Sequence, residues 1–197
     1  MIWRVDVPTR EGQVDVAGRT ALAALREQGL AEVRDVRAAQ VYLVEGDLDR
    51  AAAERIARDL FHDPVVQTCS LGPAAQPPPV PAGAHAVLVF KRPGVMDPVE
   101  QSVLKAIADL GLGAARVRTG VRYLVRGAPG NGRLREAAAR ALANEAIEEV
   151  AVGERAFERI DLGSPYAFKL VTVPILKAGD AELERLSGDK TQVTPKQ

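Results

Sequence analysis

The sequence predicts an α+β fold of two tandem ferredoxin-like, split βαβ repeats packed as a pseudo-twofold pair. The first observation is a duplication: residues 5–72 and 87–153 carry one pattern twice. Setting Gly12 on Gly94 brings Asp15 onto Asp97, Leu22 onto Leu104, Gly29 onto Gly111 and Leu30 onto Leu112. After a slip of one residue, Val36-Arg37 meets Val117-Arg118, Tyr42-Leu43-Val44 meets Tyr123-Leu124-Val125, and Gly72 meets Gly153. The second observation is the alternation of strand and helix periods within each copy. The third is size: a period of roughly 80 residues exceeds the roughly 20–50 of a solenoid unit, so each copy is a small domain.

In copy one, Trp3, Val5 and Val7 alternate with Arg4 and Asp6, the period of a half-buried strand; Ala86 to Phe90 repeats it. A helix follows, its apolar face marked by Ala17, Ala21, Leu22 and Leu25, and in copy two by Val99, Val103, Leu104 and Ile107. Asp15 and Asp97 take the N-cap positions. Asp97 is followed by Pro98, which fixes φ at the first helical position, and Glu100 stands where a capping box places its acid. Gly29 and Gly111 end the helices. Val33 to Val36 and Val41 to Val44 then form either a hairpin or one long bent strand. A second helix spans Asp49 to Phe61, answered in copy two by Leu134, Ala138, Ala141 and Leu142. A last strand, Val65 to Leu71 or Ile147 to Val152, closes each copy. The order β-α-β-β-α-β puts both helices on one face of an antiparallel sheet. The other face needs a cover, and each copy is expected to cover its twin's.

The chain thus divides into repeat one (1–72), a Pro-rich linker (73–83), repeat two (84–153) and a C-terminal extension (154–197). The linker holds five prolines in eleven residues and favours extended polyproline II. In the extension, Phe168 to Val173 reads as a strand, Asp180 to Leu186 as a short helix, and Gly188 to Gln197 as a disordered end.

Twenty-six basic residues balance twenty-six acidic ones, which argues against a nucleic-acid or anionic-membrane partner. Cys69 stands alone, so no internal disulfide framework exists, and a cytoplasmic location is expected. No apolar run approaches the roughly 20 residues that span a bilayer. Twenty Arg against six Lys points to a GC-rich coding sequence rather than a functional preference.

The candidate sites are few. Gly127 to Gly132 precedes a helix, yet its counterpart Gly46 to Ala51 has one glycine and two carboxylates, so it reads as a permissive surface loop rather than a phosphate cradle. Arg116, Arg118, Arg122 and Arg126 alternate along the middle of copy two, with Arg34 and Arg37 in copy one. They form either a solvated strand face or a docking patch for an acidic partner, for which Arg37, Arg116, Arg118, Arg122 and Arg126 are the candidates. His62 and His85 lack a second ligand at metal spacing, so no metal site is expected. Cys69 reads as core rather than nucleophile. Asp15 and Asp97 are accounted for as caps, and no catalytic residue is identified.

Pro93-Gly-Val-Met-Asp-Pro98, Val117-Arg118-Thr-Gly120 and Leu142-Ala-Asn-Glu-Ala-Ile-Glu148 resemble the PGVxDPxG, VRxGK and LxNPVIE signatures of PurS, the small subunit of phosphoribosylformylglycinamidine synthase. Copy one supplies Asp15 and Gly18 of the first, Val36-Arg37 of the second and His62 to Gln67 of the third. Gly18 is Glu100 in copy two, Pro93 is Glu11 in copy one, and the family lysine is Gln40 or Val121. Residues 163–187 are similar to the stretch where large synthase chains leave a PurS-like region for the catalytic domain, before which this chain stops. The resemblance implies a non-catalytic bridging subunit of an ATP- and glutamine-dependent ligase in purine biosynthesis, coupling a PurL-like synthetase to a PurQ-like glutaminase. It implies no cofactor on this chain, ATP and Mg on the synthetase, and a monomer with an internal pseudo-dimer. A small-molecule-sensing paired ferredoxin-like module is the alternative. The front end of a longer synthase is a third reading.

Overall fold

The computed structural model describes residues 1–114, 116–128, 130–160, 179–181 and 183. The chain separates into a compact unit of residues 1–164 and a second unit of residues 165–197. The expected strand at 168–173 and the polar end lie outside the described residues. Of the expected helix at 180–186, the described Asp180, Ala181 and Leu183 are helical.

The first unit runs β1 (Ile2–Pro8), α1 (Val16–Glu27), β2 (Asp35–Glu45), α2 (Arg50–Ile56, continued by a π-helical turn Ala57–Phe61), β3 (Ser70–Pro73), β4 (Ala84–Lys91), α3 (Pro98–Asp109), β5 (Arg116–Arg126), α4 (Asn131–Leu142) and β6 (Glu148–Val152). Of the hairpin and the long strand that the sequence left open, the long strand forms in both halves. Asp35 to Glu45 and Arg116 to Arg126 carry no turn residues that would break them, only the single Gly120. Gly29 and Gly111 follow α1 and α3 with φ of +86° and +74°, the left-handed conformation a glycine adopts at low cost.

The strands form one six-stranded sheet in the order β3-β1-β2-β5-β4-β6, and every neighbouring pair is antiparallel. Each half therefore has the same order, last strand, first strand, middle strand. The halves meet edge to edge through β2 and β5, where Val36 lies opposite Val125 and Val44 opposite Val117. Those two pairs exchange under the repeat alignment, and Gln40 lies opposite its own counterpart Val121. A pseudo-twofold axis thus passes beside Gln40 and Val121. This corrects the expectation that the halves cover each other's sheet faces. An eleven-residue ladder satisfies a full edge of backbone donors and acceptors on both middle strands, which face-to-face stacking would leave open.

Strand alternation sends Trp3, Val5 and Val7 to the helical face, yet the two cores there are composite. One joins β1 and α2 of the first half to Ile107 of α3 and Val117 of β5; the other joins β4 and α4 of the second half to Ala21 and Leu25 of α1 and to Val36. Each first helix packs on its own middle strand and also against the second helix of the opposite half. The other sheet face buries Val41, Leu43, Leu88 and Phe90 beneath Ala74 of the linker and Phe157 and Ile160 of the extension. Phe157 meets Phe90 edge-on, with ring centroids 5.3 Å apart. The Ala74 amide donates to the Ile2 carbonyl, and its carbonyl accepts from the Phe157 amide. Because both faces are covered, β1 is not half-buried: Arg4 and Asp6 are 2% and 5% exposed.

The last strand of the first half is shorter than expected. Residues 63–67 turn instead, with Asp63 accepting from the Val65 amide and the Gln67 amide donating to the Asp63 carbonyl, and Pro64 lacks the donor a ladder needs. Pairing resumes at Ser70. Cys69 consequently lies outside the strand and is exposed rather than core.

Candidate functional site

The loop after the first strand of each half folds over the middle strand. In the first half the buried Asp15 caps α1 through the Gly18 amide (2.8 Å) and reaches the Ala38 amide of β2 (2.7 Å). In the second, Asp97 caps α3 through the Val99 amide (3.0 Å) and accepts from the Thr119 hydroxyl of β5. Both caps tie a helix start to the pseudo-equivalent place on a central strand, which sequence reading saw only as capping. A cavity of ≈ 310 Å³ lies between the first loop and Arg37, and one of ≈ 230 Å³ between the second loop and Arg118. Gly18 is required where it stands, because a Cβ there would strike the Val36 carbonyl and the Asp15 carboxylate. Glu100, its counterpart, lines the second cavity, and burial, with the nearby Asp97 charge, pushes its carboxyl above the usual range.

The rims of these loops are apolar and open. Val14, Val16, Val65 and Val66 are exposed at the first tip, and Met96, Val99 and Ile147 at the second. The Arg10 amide donates to the Val66 carbonyl and the Arg92 amide to the Ile147 carbonyl, so each tip joins the loop to the turn before its last strand by the same bond. Since β1 and β4 run in opposite directions, the tips lie at opposite ends of the sheet.

The five candidate docking arginines do not form one exposed patch. Arg118 is buried, bonds the Lys91 carbonyl and Glu149, and stands 5.0 Å from the Phe90 ring centroid. Arg122 is buried against Glu154 and the Pro79 carbonyl. Glu154 also holds Arg4, which bonds Asp6, so a buried network joins β1, β5 and the extension. Burial opposes the charge on Arg4, but Asp6 and Glu154 outweigh it and raise its pKa. Arg116 pairs with Glu45 at 3.5 Å, and Arg126 lies opposite Asp35 in the ladder. Arg37 keeps a partly exposed guanidinium that donates to the Thr9 carbonyl. The solvated-face reading fails for both buried arginines: Arg118 is held by Lys91, Glu149 and Phe90, and Arg122 by Glu154 of the extension and Pro79 of the linker.

At the axis the halves differ. In the first, Phe61 stacks on Tyr42 with centroids 4.1 Å apart and planes at 5°. In the second, the counterpart of Phe61 is Leu142, and a cavity of ≈ 260 Å³ opens among Tyr123, Leu142, Gln40, Thr119, Lys91 and Glu148. Lys91 pairs with Glu148 at 3.1 Å. Burial works to raise the Glu148 pKa, but the Asn144 amide and Lys91 hold it below the usual range. Burial, then Glu148 and Asp15, push the Tyr123 phenol up; burial and Asp97 do the same for Tyr42. Sequence reading passed over this site because its signal, Leu142 in place of Phe61, is one apolar residue for another.

His62 contacts the Ala57 carbonyl and His85 the Asn131 side chain. Among the described residues no group of three or more His, Cys, Asp or Glu is placed to hold a metal ion, and no helix is long and apolar enough to cross a membrane. Gly130 precedes α4 as its N-cap, without a side-chain capping bond.

These features define a class of protein: an α+β scaffold of ferredoxin-like halves joined in one antiparallel sheet, with Asp15 and Asp97 engaged in holding loops to strands. Residues 2–72 match the family model of PurS, described as phosphoribosylformylglycinamidine (FGAM) synthase, so this part of the chain is similar to that family. No curated protein matches the chain.

Proposed function

We propose that the chain is a non-catalytic bridging subunit of FGAM synthase, holding a glutaminase and an ATP-dependent synthetase together for ammonia transfer. The observation that carries this reading is the pair of apolar tips at opposite ends of one continuous sheet. A bridge needs two separate docking ends, and exposed Val, Ile and Met side chains gathered on loops are what protein interfaces cover. Among the described residues, the buried Arg4, Asp6, Arg118 and Arg122 are engaged in ion pairs within the chain, which suits a structural rather than a chemical task. ATP and Mg belong to the synthetase partner in this reading, and the setting is cytoplasmic. Residues 1–72 and 84–153 act as the two members of an internal dimer, with 73–83 as the linker and 154–160 as a strap over the sheet. The physical task is positioning, since ammonia released into water is protonated and lost.

The test is reconstitution of the three purified subunits. Glutamine-dependent turnover should require this chain, while turnover with added ammonia should proceed without it. Equal dependence of both activities on the chain would contradict a bridging role.

A further inference from the structure

The second half contains an open slot at the place where the first half holds a stacked ring. Tyr42 and Tyr123 are counterparts on the two central strands, and both face the helices. Phe61, delivered by the π-helical turn at the end of α2, lies flat on Tyr42 and is 6% exposed. α4 ends at Leu142 with no such turn. A leucine is branched rather than planar, and the ≈ 260 Å³ cavity beside Tyr123 is the space that results.

We infer that this cavity binds a small planar heteroaromatic molecule, of nucleobase size, stacked on Tyr123 as Phe61 is stacked on Tyr42. Three features set the ligand class. The Tyr123 ring supplies a π face, and stacking on such a face tolerates any flat ring. The edge of the slot is polar: Gln40 offers both a donor and an acceptor, and the Thr119 oxygen, whose proton goes to Asp97, can still accept, so a ring with nitrogen or oxygen at its margin suits it better than a hydrocarbon. The volume is below the roughly 300–1,000 Å³ typical of sites for drug-sized ligands, which favours a ring alone over a whole nucleotide. Lys91 and Glu148 neutralise each other at the mouth and so select neither charge. The first half cannot form the site, because Phe61 fills it and Thr9 and Gln67 stand where the second half has Lys91 and Glu148. The inference concerns the axis and not the tips, so it stands apart from the bridging reading.

Calorimetric titration of the isolated chain with adenine and with hypoxanthine tests it, with cyclohexanol as a non-planar control. One saturable site per chain is expected for the flat rings and none for the control. Leu142→Phe, which supplies the missing ring, should weaken binding by at least about tenfold while keeping or raising the melting temperature, and Tyr123→Leu should weaken it by a similar factor. Should Leu142→Phe fail to fold, Tyr123→Leu and Gln40→Ala carry the same test. Absence of saturable binding up to millimolar concentration, equal binding of cyclohexanol, or undiminished binding by the folded variants would overturn the assignment.

Discussion

Gly18 and Glu100 show how far two pseudo-equivalent residues have diverged. At Gly18 the helix start approaches β2 so closely that one added carbon meets backbone and carboxylate together. Gly18→Ala should therefore destabilise the chain by about 1–3 kcal/mol, the usual cost of overpacking, measured as a shift of the urea midpoint with unchanged slope. Glu100 occupies the matching position with a carboxyl whose folded pKa is raised, by burial first and by Asp97 second. A raised carboxyl pKa means the folded state favours the protonated form, so the stability Glu100 contributes is present at acid pH and lost as pH rises through its folded pKa. Glu100→Gln is expected to raise the melting temperature at neutral pH, and that gain should vanish once the pH falls below the ordinary glutamate range. A gain that persisted unchanged in acid would contradict the assignment.

Among elements, the β2–β5 ladder and the 154–160 strap decide the architecture. Opposite charges face each other near both ends of the ladder, Asp35 with Arg126 and Glu45 with Arg116, which penalises a slipped register. The strap is fixed by Glu154, the shared partner of Arg4 and Arg122. Glu154→Ala leaves two guanidinium groups buried without that carboxylate, and should cost about 3–5 kcal/mol by thermal or chemical denaturation. Phe157→Ala removes the ring that packs on Phe90 and should cost about 3–5 kcal/mol in the same assay. The helices, the Asp caps and the first strands were legible in the sequence because their signals are local: period, cap chemistry and terminal glycine. The strap was not, since Glu154 meets Arg4 across most of the chain and no local pattern announces a pairing of that separation. The arginine alternation on β5 misled for the same reason. Its period of two is that of a solvated face, and only the tertiary cover over Arg118 and Arg122 distinguishes the two cases.

At the scale of the whole molecule, the repeats are legible in sequence but their independence is not. Ile107 of the second half completes the first core, and Leu25 of the first completes the second. Neither half closes a core alone, so residues 1–76 and 77–164 produced separately should each be largely unfolded and should regain native circular dichroism on mixing. Two halves that fold independently would show that the composite cores are not needed. In the proposed bridging role one chain would take the place of a dimer, because the axis beside Gln40 and Val121 relates two halves that share one sheet. The most direct measurement of the bridging account is sedimentation of this chain with purified glutaminase and synthetase subunits. The account predicts a monomer alone and one complex holding one copy of each of the three chains. A chain that dimerises by itself, or that binds one partner only by displacing the other, would contradict it.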